Sequence, residues 1–335
     1  MRTDDQSAED SPVDSSKVHS HETTVGTDDN VYPWEVDSPP GEDELTSYQT
    51  FRHNGWTALR AKVKQAMIDA GHSDKTIYRF CNCGRFVQVE SSASTKKVRL
   101  VGSFCKCRGC APCSAARSAL ISKNLIDFLG DRTTRFLTLT MKHDGESLTC
   151  LISRIKKSFK LMRSEAEWKR NVKGFAAFLE VKWSTRKAGW HVHYHILLEG
   201  SWWDSRDISR LWHKSTGDSF IVDIQAKGTN ASRAFYAAKY ASKPFSAGDI
   251  PTAALLAEAV NQLHRIRLWI IGGTWKGLKL LAKPTSTIRD WTFLCTASKL
   301  FDDARHGDEA SRLIIVQLTH ADEDRWSLPI DFDTG

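Results

Sequence analysis

Trp190-His191-Val192-His193-Tyr194-His195-Ile196-Leu197-Leu198 is the stretch on which the reading of this chain turns. His191, His193 and His195 fall on every second position. In a β-strand, residues two apart share a face, so a strand here lines up three imidazoles on one surface. The run then closes on three apolar residues, as a buried strand end does. Imidazole is a common ligand of divalent transition metals. A solvated polar strand edge would explain one such histidine better than three in register.

The neighbouring segment supplies a partner. Phe175–Trp183 and Trp190–Leu198 read as two strands joined by Ser-Thr-Arg-Lys-Ala-Gly. If Trp183 stands opposite Trp190, Glu180 stands opposite His193 on the same face, roughly 5 Å away. His193, His195 and Glu180 then form a two-imidazole, one-carboxylate set suited to Mg²⁺ or Mn²⁺ at a phosphate. The alternative is a Glu180 paired with a surface lysine or arginine. A slip of one residue would turn Glu180 to the other face. His191 shares the histidine face, as a further ligand or as a phosphate contact behind the ligands.

Charge is unevenly distributed. The chain of 335 residues carries a net +7, yet residues 1–50 hold 13 acids against 2 bases and residues 301–335 hold 9 against 3. Residues 51–300 therefore carry +24. A body this basic implies a polyanionic partner, most simply nucleic acid. No run approaches the ~18 apolar residues of a membrane helix. The acidic N-terminus lacks signal-peptide order. The expected location is therefore cytoplasmic, where cysteines are reduced or metal-bound.

Composition marks a disordered acidic tail at 1–50, a helix and cysteine-rich zinc-binding region at 51–115 and an acidic tail at 301–335. Residues 54–70 and 115–128 read as helices. Arg135–Met141 alternates as a strand with Phe136, Thr138 and Thr140 on one side. Leu151, Ile155, Phe159 and Met162 keep helical spacing on a basic helix. Phe220–Gln225 reads as a strand, and 231–243 as a helix stopped by Pro244.

That last helix carries Tyr236 and Tyr240 at i,i+4, on one face. Lys243 continues the stripe, with Lys239 beside it. The small residues between them would let a backbone or a DNA strand approach closely. A phenol with a reference pKa of ~10 is a poor nucleophile unless nearby ammonium groups favour the phenolate. Two core aromatics with lysines at the rim is the plainer alternative.

Six thiols form two knots, Cys81-Asn-Cys83 and Cys105-Lys-Cys107-Arg-Gly-Cys110-Ala-Pro-Cys113. The spacing is that of a structural zinc site. Cys83, Cys105, Cys110 and Cys113 are the preferred ligands, with Cys81 and Cys107 as substitutes. Cys150 and Cys295 read as core residues.

Together these segments resemble a known family. His193-Tyr-His195-Ile-Leu-Leu is similar to the histidine motif of the HUH endonucleases. Phe136–Thr140 resembles the strand motif that precedes it in rolling-circle replication initiators. Tyr236-Ala-Ala-Lys239-Tyr240-Ala-Ser-Lys243 resembles their tyrosine motif. The Cys105–Cys113 segment with Arg117, and Arg267 with Gly272-Gly273-Thr-Trp-Lys, resemble segments of small bacterial plasmid Rep proteins.

The resemblance spans about 80–280 and implies an α+β fold, ferredoxin-like or RRM-like. It implies a catalytic domain at 116–246 and a C-terminal part of the core at 247–300. Its antiparallel sheet would carry helices on one face beside a small zinc-binding element. It also implies metal-dependent nicking and joining of single-stranded or hairpin origin DNA. A 5′-phosphotyrosine would form and a 3′-OH primer would be left. Tyr240 would be the main nucleophile and Tyr236 the second, with Lys239 and Lys243 assisting. Many cysteine-bearing initiators carry an acid four residues before the nucleophile. Tyr236 stands there instead, as in certain phage initiators.

The chain has no Gly-x-x-x-x-Gly-Lys-Ser/Thr phosphate loop, so a host helicase would unwind the duplex and a host polymerase extend the primer. A transposase or mobilisation relaxase would use the same chemistry. A zinc-bearing nucleic-acid binder would use none.

Overall fold

The computed structural model describes residues 45–226, 228–242, 245–283 and 288–320. All belong to one unit of the chain, beginning at Asp37. Residues 1–44, most of the expected N-terminal tail, and 321–335, less than half of the expected C-terminal one, lie outside the described residues, as do Lys243 and Pro244. Three helices come first: α1 (Ser47–Arg52), α2 (Thr57–Asp69) and α3 (Asp74–Cys81). The hairpin β1 (Val87–Ser92) and β2 (Val98–Gly102) follows, then α4 (Ala111–Leu129), β3 (Thr134–Thr140), α5 (Leu148–Ser164) and α6 (Ala166–Asn171). The long strands β4 (Val172–Ser184) and β5 (Gly189–Gly200) lead to α7 (Ser205–Thr216), β6 (Val222–Gln225) and α8 (Asn230–Ser242). The described chain ends with α9 (Ala253–Gln262), β7 (Trp269–Gly273), β8 (Trp291–Thr296), α10 (Ala297–Arg305) and α11 (Glu309–His320).

The fold is α+β. Its main sheet has five antiparallel strands in the order β6-β3-β5-β4-β7. The β4–β5 register pairs Trp183 with Trp190 and Glu180 with His193, as the turn length predicts. The two indole rings meet edge to face, 5.1 Å apart.

Alternation along β5 explains the layers. Val192, Tyr194, Ile196 and Leu198 pack against Leu151, Ile155, Phe159 and Met162 of α5. All four α5 residues are fully buried, each contributing roughly 1.5–3 kcal/mol. Ser147 caps this helix by accepting a hydrogen bond from the Cys150 N–H. The opposite face of the sheet presents Phe136, Ala176, Phe178 and Leu197 to α4 and α8. Helices therefore cover both faces rather than the one expected, because β4 and β5 are apolar on both sides. No described helix is long and apolar enough to cross a membrane.

A second sheet, β2-β1-β8, was not foreseen. Its inner face packs Val87 and Val89 against Tyr48 of α1, Leu300 and Phe301 of α10 and Ile315 of α11. The expected tail boundaries move accordingly. Residues 297–305 and 309–320 are helical, and α1 starts within the first fifty residues behind a Thr46–Gln49 capping box. Phe301 holds α1 through tilted ring contacts with Tyr48 and Phe51. An acidic composition did not exclude an amphipathic helix at either place. Phe220 and Ile221 precede the strand they were assigned to, and both are exposed. Cys150 is exposed rather than core, because it lies on the outer face of α5.

Gly174 of β4 lets β7 and its following turn close over the sheet. A Cβ there would stand 2.2 Å from Cδ1 of the fully buried Trp275. The Trp275 indole N–H donates to Glu199 at 2.8 Å and has little room to yield. Gly174→Ala is expected to cost about 1–3 kcal/mol, read as a lower urea midpoint at unchanged slope.

Candidate active site and metal centre

His191, His193 and His195 line one face of β5, and the adjacent strands fix their rings. Thr140 Oγ1 lies 3.2 Å from His193 Nδ1, and Thr138 Oγ1 lies 3.3 Å from His195 Nδ1. At His193 the threonine hydroxyl can accept from Nδ1–H, which leaves Nε2 as the free lone pair, whereas at His195 Nε2–H donates to a carboxylate and the Thr138 hydroxyl donates to Nδ1. Glu180, on β4, reaches His195 Nε2 with Oε2 at 2.9 Å and is buried. Lys182 Nζ stands 3.2 Å from the same carboxylate oxygen. Glu180 thus combines the expected imidazole contact with the expected lysine pairing. Although it faces His193 in register, its contact is with His195.

The row continues beyond the strand. His191 and His193 rings are 4.1 Å apart, and His143, just after β3, stands 5.0 Å from His191. His143 was not anticipated. Its signal was its place, three residues past Thr140 on the strand that flanks β5. Burial, then the neighbouring imidazoles and Lys182, pushes His193 down to about 2. Burial likewise lowers His191 and His143. Neutral imidazole is the ligand form, so the donors suit a divalent ion. Two imidazoles and a carboxylate are the donor types of a cation site, with Glu180 Oε2 2.9 Å from His195 Nε2 and hydrogen-bonded to it in this arrangement.

Helix α8 lays both tyrosines against this row. The Tyr240 ring stacks on His195, 3.7 Å between centroids and 14° between planes. Tyr236 meets Tyr240 edge to face at 5.0 Å and touches Phe136 at the same distance. Their surroundings differ sharply: Tyr240 is 3% exposed and Tyr236 49%. Burial, then the Tyr236 hydroxyl and the Glu180 charge, pushes the Tyr240 phenol well up. This reverses the expected lysine effect, since Lys239 Nζ lies 5.9 Å from the ring and burial prevails. The small residues serve the first of the two expected uses, close approach of protein backbone. Ala234, Ala237, Ala238 and Ala241 are fully buried among α4 and the sheet, so they admit protein rather than DNA.

The cysteine knot gathers the four expected thiols. Sγ atoms of Cys83, Cys105, Cys110 and Cys113 all lie within 4.8 Å of one another, and the group can hold a metal ion. Among the described residues it is the one cluster of three or more such donors drawn that close. Cys81 and Cys107 stay outside it. Arg52 of α1, buried in the same knot, points Nη2 at Cys113 Sγ at 3.6 Å and lies over the Phe104 ring at 4.4 Å. A buried guanidinium beside thiolates offsets their charge. Gly84, at φ +81°, leaves it room: a Cβ there would stand 2.7 Å from Arg52 Cδ. Arg52 was not read as part of this site, for it lies 31 residues before Cys83.

Three comparisons bear on this arrangement. The family described as "Replication protein" matches residues 96–311, well over half of the chain. A "Protein rep" of Streptococcus pneumoniae serotype 2 is 26% identical over 67% of this chain and 78% of that protein. "Protein rep" of a Bacillus species is 28% identical over 40% of this chain and 46% of its own length. That of Bacillus amyloliquefaciens is 27% identical over 39% and 41%. No solved structure matches.

The two tyrosines should separate in stability. Tyr240→Ala empties a buried ring site and is expected to cost about 3–5 kcal/mol. Tyr236→Ala, at a half-exposed ring, should cost under about 1 kcal/mol. Denaturant midpoints of the two variants, compared with the parent, check this.

Proposed function

The chain belongs to the replication-protein family, and on that premise we propose that it initiates rolling-circle replication of a small bacterial plasmid by nicking and rejoining one strand of the origin. The observation that carries this reading is the stack of Tyr240 on His195, which brings a phenol to the histidine and carboxylate row.

In this reading His193, His195 and Glu180 hold Mg²⁺ or Mn²⁺. When bound, the ion polarises the scissile phosphate. Thr138 and Thr140 keep the imidazoles turned so that Nε2 faces the site. His191 and His143 extend the row and steady its outer end. Tyr240 is the first nucleophile: its oxygen bonds to phosphorus and the P–O3′ bond breaks. The 3′ oxygen leaves as a hydroxyl, carrying the proton the phenol gave up, and the 5′ phosphate stays on tyrosine. Tyr236 cuts again after one round, and the new 3′-hydroxyl resolves the first link. Lys239 contributes positive charge beside the phenol, and Lys243 is assigned the same part. The 3′-OH primes a host polymerase while a host helicase unwinds the duplex, in the cytoplasm of a bacterium.

Incubation of the full chain with a single-stranded origin oligonucleotide and Mn²⁺ or Mg²⁺ should give a covalent adduct on a denaturing gel. Tyr240→Phe is expected to abolish it and Tyr236→Phe to keep it, with peptide mapping placing the DNA on Tyr240. An adduct that survives both substitutions would overturn the assignment. Chelation of the ion should stop the reaction in every case.

Zinc is the metal that suits four thiolates at the knot. Purified protein is expected to carry one zinc per chain by elemental analysis. Cys113→Ser should lose it and lower the melting temperature, since structural zinc contributes folding energy.

A further inference from the structure

The outer face of the second sheet is unaccounted for by nicking. Its cross-strand pairs set its composition. Glu90 faces Arg99 on one side and Phe293 on the other, Gln88 faces Val101 and Thr296, and Ser92 faces Trp291. Directly opposed residues share a face. This face therefore presents Trp291, Phe293 and Arg99 together, opposite the side that packs on α10. Phe293 is 60% exposed and Val101 39%. The Arg99 guanidinium lies over the Trp291 ring at 4.2 Å and is held by Glu90 at 2.6 Å. Trp291 and Phe293, two apart on β8, stand about 7 Å apart. Adjacent nucleotides of an extended strand span such a gap.

The rim is basic. The β1–β2 turn is tied to the start of β8, because Ser92 Oγ and the Ser94 N–H donate to Asp290 at 2.8 and 2.7 Å. That contact brings Lys96, Lys97 and Arg289, all exposed, to the end where Trp291 lies. Asp290 is engaged by those donors and Glu90 by Arg99, so the cations dominate the edge. An exposed Phe293 beside a half-buried Trp291, on a sheet with a cationic border, suits a ligand that combines π faces with phosphates. Stacked duplex bases are closed to such rings, whereas single-stranded bases are open to them.

We propose that this face is a second DNA-binding site, a stacking platform for single-stranded DNA separate from the nicking centre. Only the class of ligand is taken from the replication reading. The platform would hold unpaired nucleotides of the origin or the displaced strand while the histidine face works on the scissile phosphate.

Fluorescence anisotropy of the full chain with labelled oligothymidylate tests this without any origin sequence. Phe293→Ala should weaken binding about 5- to 100-fold, the loss of one stacked base. Lys96→Gln with Lys97→Gln should flatten the salt dependence by about 1.4 in slope, at about 0.7 per phosphate contact. Covalent adduct formation on a short oligonucleotide confined to the scissile site should be unchanged in both variants. Unchanged affinity and slope would overturn the proposal. So would a Phe293→Ala variant whose DNA affinity is kept but whose mass in sedimentation drops, for the face would then join copies of the chain. Failure of adduct formation in the parent protein would overturn the nicking mechanism and leave the oligothymidylate result standing.

Discussion

Everything at the histidine face depends on the register between β4 and β5. Side chains alternate along a strand, so a slip of one residue would bury His193 and His195 under α5 and turn Val192 and Tyr194 outward. The six-residue turn and the Trp183–Trp190 contact oppose that slip. So does the cost of moving Tyr194, Ile196 and Leu198 out of the α5 core. The chemistry-bearing face is thus held by the apolar one. Imidazoles and a carboxylate contribute little to folding, yet they are positioned by residues that contribute much.

The same separation governs the tyrosines. Helix α8 approaches the sheet closely because four alanines meet α4 and the strands. That closeness seats Tyr240 flat on His195 and leaves Tyr236 at the margin. A helix with larger side chains would stand farther off and break the stack. Trp212, fully buried on α7, completes the frame by donating to the Thr140 carbonyl at 2.9 Å. This fixes the end of the strand whose hydroxyls orient the imidazoles.

Much of this was legible in the sequence because it follows from local periodicity. Period two gave the histidine row, the Thr138–Thr140 face and the Glu180 pairing. Period 3.6 gave the buried stripe of α5 and the shared face of the tyrosines. Thiol spacing gave the four cysteines of the knot. What escaped was of two kinds. Contacts between distant segments leave no local pattern: β1 with β8, Arg52 with Cys113, and His143 with His191 are of this kind. Burial is the other. Tyr240 and Tyr236 look alike in a helical wheel, and only packing decides that one is covered and the other open. The lysines beside them were expected to lower the phenol, and desolvation reversed the sign.

The pairing of β1 with β8 joins residues some two hundred positions apart. Contacts of such long sequence separation form late, because the intervening loop must be closed first. During synthesis the β1–β2 hairpin leaves the ribosome long before its third strand exists. Until then Val87 and Val89 have neither β8 beside them nor Leu300 and Phe301 above them. The histidine and tyrosine elements are complete earlier in the chain. A nascent polypeptide can therefore assemble its histidine and tyrosine elements before its terminal lobe, and premature termination near residue 290 would release a half-finished protein with a bare sheet edge open to aggregation.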